Sequence, residues 1–336
     1  MTERQIDLPT AAALARAAHP LLTTLAGLDE VSMRYVARRT LTRGLTQAHY
    51  TNLRFERFFK SCHEAWDHLE RELLKHTDRP DWWPDPEETL PDSVPPPGGF
   101  GSPVVRITEA TRDIVLELDA AIRRTARPRN RADVLTHHAA YTTHFMVAHD
   151  HLGIRPHDPP HLGGASLLAV PAYWAISDKQ SKQYWEDRLL YVPQVIVHLS
   201  QQLGTGRRRL ARELLSHVGS AAVARLPQEL IFFFGPDAKV IPFSRKAFRA
   251  TLAQLDVDFP ADTPPNYGRH WLRTRLHEDG VHDDLINLWL GHTAGGREPL
   301  ARHASTSYGP ALTKLRDRIA GYLAELGFRP LEYFRD

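Results

Sequence analysis

Residues 266–310, NYGRHWLRTRLHEDGVHDDLINLWLGHTAGGREPLARHASTSYGP, carry in order a His-x-x-Arg pair at His270 and Arg273, a Leu-Gly-His at Leu290, Gly291 and His292, and a later Tyr308 beside a glycine. The spacing predicts a helix over Arg269 to Glu278, in which His270 and Arg273 lie one turn apart on one face while Leu272 and Leu276 supply the adjoining packing face. Gly280 ends that helix, Val281 to Leu290 forms the next, and Gly291 stands where a helix terminates, leaving His292 at the turn. These side chains suit phosphoryl transfer. An arginine offers a planar fork matched to two phosphate oxygens, histidines add hydrogen bonds or a proton where charge develops, and a tyrosine oxygen can be the nucleophile.

Upstream, the apolar run Ile231 to Phe234 precedes Gly235-Pro236-Asp237, and Ser244 caps a helix through Phe248 and Leu252. Phe232 to Phe234 read as core, because no basic residue is interleaved with them. Gln194 to Leu203 and Arg208 to Leu215 are helical; the run Arg207 to Arg209 with Arg212 faces either a phosphate backbone or solvent. The stretch AYWAISDKQSKQYWEDRLLYVP, residues 172–193, predicts a hairpin with strands Tyr173 to Ile176 and Arg188 to Val192. Two earlier helices follow from periodicity, one opening at Thr108 and Glu109 and running through Ile114, Leu118 and Ile122, the other from Ala132 to His151. After Tyr308, Leu315, Ile319, Tyr322, Leu323 and Leu326 form one stripe within 312–336, to pack on a neighbouring subunit or within the chain.

A chain of 336 residues suits two domains of ordinary size. Residues 1–75 read as a helical module, with Leu53, Phe58, Phe59, Cys62, Trp66, Leu69, Leu73 and Leu74 at three- and four-residue steps. Between Arg34 and Lys60 stand Arg34, Arg38, Arg39, Arg43, Arg54, Arg57 and Lys60 against Glu56 alone, either a solvated face or a nucleic-acid surface. Residues 76–102 read as a Pro-rich linker that interrupts helix and sheet, and 103–336 as the second domain. The net charge of +2 conceals local clustering of arginine. The single cysteine, Cys62, excludes an internal disulfide and a multi-cysteine zinc site. With no apolar run near the ~20 residues that span a bilayer and no signal-peptide plan, a cytoplasmic protein is expected.

The order Arg, His-x-x-Arg, Leu-Gly-His, Tyr resembles the C-terminal half of the tyrosine recombinase (phage integrase) family, in a divergent subgroup with Gly-Arg-Glu-Pro after the histidine. The resemblance is strongest over residues 150–310. It implies a mainly α fold with a small β-hairpin or sheet (α+β), an integrase-like catalytic domain over 103–336 preceded by a helical core-binding-like domain. It further implies that Gly153, Arg155 and Asp158 occupy the positions of the family's Gly-x-Arg-x-x-Glu/Asp, with Asp158 holding the Arg155 guanidinium in place. By the same resemblance Lys179, or in reserve Lys182, is the hairpin lysine that protonates the leaving 5′ oxygen. Arg155, Arg273, His270 and His292 would cage the scissile phosphate and Tyr308 would attack it, without ATP or metal. The implied partner is double-stranded DNA, bound by four protomers on two sites, and the implied location is the nucleoid. Two features depart from the commonest pattern: Thr274 follows Arg273 where a histidine is usual, and the loop between His292 and Tyr308, which holds TAGGREPLARHA, is longer than usual.

Three other classes compete. A catalytically silent relative would hold DNA with Tyr308 out of place. A metal-dependent enzyme is suggested by His137, His138, His144, His149, His151, His157 and His161 with Asp150 and Asp158, set against helix-packing and surface histidines. A purely structural helical protein leaves the ordered motif as coincidence.

Overall fold

The computed structural model describes residues 52–75, 99–101, 108–154, 173–177, 187–259, 263, 266–291 and 309–334. The described residues are mostly helical, with three antiparallel two-stranded sheets. By its internal contacts the chain divides into two compact units, Met1–Pro103 and Val104–Asp336.

In the first unit, β1 (Asn52–Arg54) pairs with β2 (Gly99–Gly101), and α1 (Phe55–Leu74) follows β1 directly. Two expectations are corrected here. Leu53 belongs to a strand rather than to the helical stripe, and the last residues of the Pro-rich segment are sheet. Beyond its prolines the chain can again donate backbone N–H groups, and glycine at both ends of β2 lets it lie beside β1.

The second unit is built around α3 (Arg131–Asp150), fifteen of whose residues are buried. Its sequence has no apolar stripe because it is enclosed on all sides, as expected of a helix at the centre of a domain. Asn130 caps it, its side chain accepting from the Asp133 amide at 2.9 Å. Around it lie α2 (Thr108–Arg124), α4 (Gln194–Thr205), α5 (Arg207–His217), β5 (Phe232–Phe234), α7 (Arg245–Gln254) and α8 (Tyr267–Glu278). A short α6 (Ser220–Val223) packs on α5, and β6 (Val240–Pro242) pairs with β5 across the Gly235-Pro236-Asp237 turn. Ser244 accepts from the Ala247 amide at 3.0 Å, which starts α7 at the cap foreseen for it.

β3 (Tyr173–Ser177) and β4 (Asp187–Tyr191) form the expected hairpin, Tyr173 opposite Tyr191 and Ser177 opposite Asp187. β4 packs on α9 (Asp283–Leu290) and on α10 (Gly309–Glu325). The stripe of α10 is buried within its own chain: Leu315, Ile319, Tyr322, Leu323 and Leu326 are at most 3 % exposed. Past α10, the tail inserts Tyr333 and Phe334 against α3. Tyr141 donates to the Leu331 carbonyl at 2.8 Å, and Arg209 to that of Phe334 at 2.8 Å.

Candidate functional site

Three backbone segments far apart in sequence meet at the first turns of α8. Gly268 lies directly on the end of α3, so close that a Cβ there would sit 2.3 Å from the Asp150 carbonyl oxygen. Gly153 has φ +73, and a Cβ there would come within 2.5 Å of Leu290 Cδ2, so glycine is what allows this turn to touch α9. Trp289 donates its indole N–H to the Leu152 carbonyl at 2.9 Å. Arg269, 1 % exposed, donates from one guanidinium nitrogen to the Gly153 carbonyl at 2.8 Å and from another to the Leu290 carbonyl. Gly291 closes α9 in the left-handed conformation, φ 66.

His270 and Arg273 occupy the same helix, and both are buried, at 3 % and 0 % exposure. Arg273 donates to Asn287 Oδ1 at 2.9 Å and to Asp283 Oδ1 at 3.2 Å, so its planar fork is fixed by two acceptors on α9. Neither Asp283 nor Asn287 was singled out from sequence. The signal was an acidic first turn on the following helix, which alone reads as dipole complementation. Arg269 was missed as well, since nothing in a run of basic residues tells which guanidinium turns to carbonyls.

Arg155, Asp158, Lys179, Lys182, His292 and Tyr308 lie outside the described residues, as do Arg34, Arg38, Arg39 and Arg43. Gly153 and Leu290 are each two residues before Arg155 and His292, Lys179 falls in the connection between β3 and β4, and Tyr308 precedes the first residue of α10. In the first unit, Arg54 lies in β1, Arg57 is half-buried on α1, and Lys60 is exposed 3.9 Å from Glu64 one turn on. Such an exposed pair contributes little to stability.

The other tyrosines of the C-terminal region are committed elsewhere. Tyr322 donates its hydroxyl to the Asp279 carboxylate, with the Arg275 guanidinium 4.9 Å from its ring centre. Burial, then the Asp279 hydrogen bond, raises its pKa above the ordinary phenol value. The Tyr333 hydroxyl bonds His138 Nδ1, and burial raises its pKa well above the ordinary value.

His137, His138 and His144 on α3, and His151 at its C-cap, pack against aromatic rings or backbone carbonyls. Burial pushes His138, His144 and His151 down to about 4 and, aided by His138, pushes His137 down to about 3. His138 Nε2 donates to the Phe232 carbonyl at 3.0 Å, leaving Nδ1 to accept from Tyr333; His137 stacks on Phe334 at 4.2 Å between ring centres. Among the described residues no three His, Cys, Asp or Glu side chains form a group that could hold a metal ion. His157, His161 and Asp158 lie outside those residues. At the end of α3, Asp150 Oδ1, His151 Nε2 and Thr263 Oγ1 have no partner among the described residues, and their residues line a cavity of about 40 Å³. That volume suits a few water molecules.

No helix among the described residues is long and apolar enough to cross a membrane. No protein-family model, no curated protein and no solved structure matches the chain.

Proposed function

We propose that the chain is a DNA strand-breaking and rejoining enzyme of the tyrosine recombinase type. The observation that carries the reading is the convergence at α8. The helix bearing His270 and Arg273 is tied by Arg269 to the carbonyls of Gly153 and Leu290, each two residues before the other arginine and histidine of the motif. Two residues of chain reach at most about 7 Å. The packing of β4 on α9 and α10 adds support, since the hairpin with Lys179 in its connection is anchored beside the helices that flank His292 and Tyr308. The burial of Tyr322 and Tyr333 leaves Tyr308 as the strongest nucleophile candidate after the histidine.

In this reading Arg155 and Arg273 bind the non-bridging oxygens of the scissile phosphate, with His270 and His292 completing the cage. The Tyr308 oxygen attacks phosphorus and gives up its proton to solvent, the bond to the 5′ oxygen breaks, and Lys179 protonates that oxygen. The product is a 3′-phosphotyrosyl enzyme and a free 5′-hydroxyl. Attack by a 5′-hydroxyl from another strand reverses the step and releases the tyrosine, so no ATP is consumed. A phenol with an ordinary pKa near ~10 needs such a cationic cage to react at neutral pH. The expected working state is four protomers on two duplexes.

The shielding of Arg273 and its engagement by Asp283 and Asn287 favour a second reading, a DNA-binding relative that does not cut. One experiment separates the two. A labelled pool of nicked duplexes of randomised sequence, in which the fragment beyond the cut diffuses away, should leave an SDS-resistant adduct with the wild type and none with Tyr308→Phe, both binding DNA equally. An adduct that survives in Tyr308→Phe moves the nucleophile. Binding that weakens steeply with salt, but with no adduct from any pool, supports the silent relative.

A further inference from the structure

We propose that Arg269 is a positioning residue, a buried guanidinium that fixes the turns leading to Arg155 and His292 against the helix carrying His270 and Arg273; its catalytic consequence rests on the recombinase reading. The two arginines of α8 thus take different work. Arg273 lies against a carboxylate and an amide on one neighbouring helix, whereas Arg269 spans two backbone carbonyls on separate segments.

One acceptor is a helix end and the other closes the turn that follows a helix. Gly153 closes the turn that follows α3, its amide bonded to the Asp150 carbonyl at 3.0 Å, and Leu290 is the last residue of α9. The Leu290 carbonyl, at a helix C-terminus, lacks an intrahelical partner and carries the negative end of the helix dipole, so the cation caps α9 while tying that end to the turn after α3. The arginine fork is suited to this because its donors point in fixed, divergent directions from a rigid plane. A lysine ammonium is a single compact charge on a flexible stem and cannot hold two carbonyls at a set separation. The surroundings leave the guanidinium little play. Gly268 presses on the Asp150 carbonyl, Gly153 on Leu290, and the Trp289 indole donates to the Leu152 carbonyl.

Arg269 is adjacent to His270, and its two acceptors are two residues from Arg155 and His292. A shift of the guanidinium is therefore passed to three parts of the proposed cage at once. Displacements of about 1 Å in such assemblies cost about 10²-fold in rate. Arg269 would reach no phosphate itself, so its loss should spare DNA affinity.

The test uses the full chain and the nicked duplex pool, with Arg269→Lys, Arg269→Met and Arg269→Ala. Adduct formation at saturating DNA should slow about 10²-fold in the lysine and methionine variants, while affinity for the same DNA stays close to that of the wild type. Amide exchange should speed up at Gly153, Ile154 and Gly291 but not in the middle of α3 or at Tyr333. Guanidinium added at low millimolar concentration should restore adduct formation to Arg269→Ala and leave Arg269→Met unchanged. An Arg269→Lys variant with the wild-type rate, or exchange that rises alike across the unit, overturns the proposal. If the wild type itself makes no adduct, the recombinase reading fails. Exchange then decides the rest: loosening confined to the two turns upholds the tie made by Arg269, and its absence removes that too.

Discussion

α3 and α8 bury polar residues along most of their length, and they do so by opposite means. On α3 and at its C-cap, histidines give up their charge: burial holds His137, His138, His144 and His151 neutral across the physiological range. On α8, Arg269 and Arg273 cannot shed a proton, so the fold brings carbonyls, a carboxylate and an amide to them. The difference separates packing from candidate chemistry. A neutral imidazole can stand in a core as an aromatic disc, whereas a buried guanidinium needs acceptors arranged around it, and here the acceptors come from the segments that carry the rest of the motif.

The largest expected effect is the response of the α3 histidines to acid. Their folded pKa values of about 3 to 4 lie below the ordinary 6.5, so below pH 6.5 the unfolded chain takes up protons that the folded chain refuses. Their stabilisation is therefore complete above pH 6.5 and is lost as pH falls toward 4. Asp150 works the other way. Burial pushes its carboxyl up to about 7, so on folding it holds a proton that the unfolded chain has lost, and this contribution grows as pH falls from 7 to 4. Four histidines against one aspartate leave three net protons, or roughly 4 kcal/mol per pH unit at the steepest point. Urea midpoints at pH 8, 6.5 and 5 should show the fall, and Asp150→Asn should steepen it by removing the opposing group. A midpoint that stays flat to pH 5 would show that the histidines charge inside the fold and would erase the contrast with α8.

A smaller effect, but the sharpest contrast, comes from Arg273→Met. It leaves Asp283 with 12 % of its side chain exposed and without the Arg273 cation, for an expected loss of about 3–5 kcal/mol. Asp283→Asn in the same chain should recover part of that loss, since the charge left behind is what costs most. If Arg273→Met costs under about 1 kcal/mol, the ion pair does not organise the α8–α9 contact, and the premise of a held guanidinium goes with it. Tyr333→Phe is milder again. It leaves His138 Nδ1 without the Tyr333 hydroxyl, at about 1–3 kcal/mol, and should loosen the tail without touching DNA affinity.

The local grammar of this fold was legible wherever one residue type answers one backbone need. Ser244 caps α7, Gly291 takes the left-handed position that ends α9, and the polar turn between Tyr173 and Tyr191 marks the hairpin. What stayed hidden was the tertiary partner. Asn52–Arg54 reads as the start of a helix until Gly99–Gly101 pairs with it, forty-odd residues away. The histidines of α3 suggested metal ligands by number, because sequence shows their density and not the Phe232 carbonyl, the Phe334 ring or the Tyr333 hydroxyl that meet them. In the candidate site, the order of His270, Arg273 and the Leu-Gly-His could be read directly. That Arg269 would bind carbonyls 116 and 21 residues away depends on how α3, α8 and α9 pack, which no local pattern encodes.

The smallest effect falls on the histidine for which the fold provides least. His144 is fully buried, neither ring nitrogen has a hydrogen-bond partner among the described residues, and its ring meets Phe328 edge-on at 5.1 Å between centres. Burying polar atoms without partners costs free energy, and replacing such a group by an apolar one of similar shape is neutral or favourable. His144→Leu should therefore stabilise the protein by about 1 kcal/mol at neutral pH, trading two unpaired nitrogens for methyl groups against Phe328. The gain should grow as pH falls below 6.5, because the variant also removes one of the protons that the unfolded chain binds. Urea denaturation of His144→Leu and wild type at pH 8 and pH 5.5 checks both statements. A variant destabilised at both pH values would mean that His144 has a polar role in the core, and the division between a neutral α3 and a charged α8 would have to be redrawn at that position.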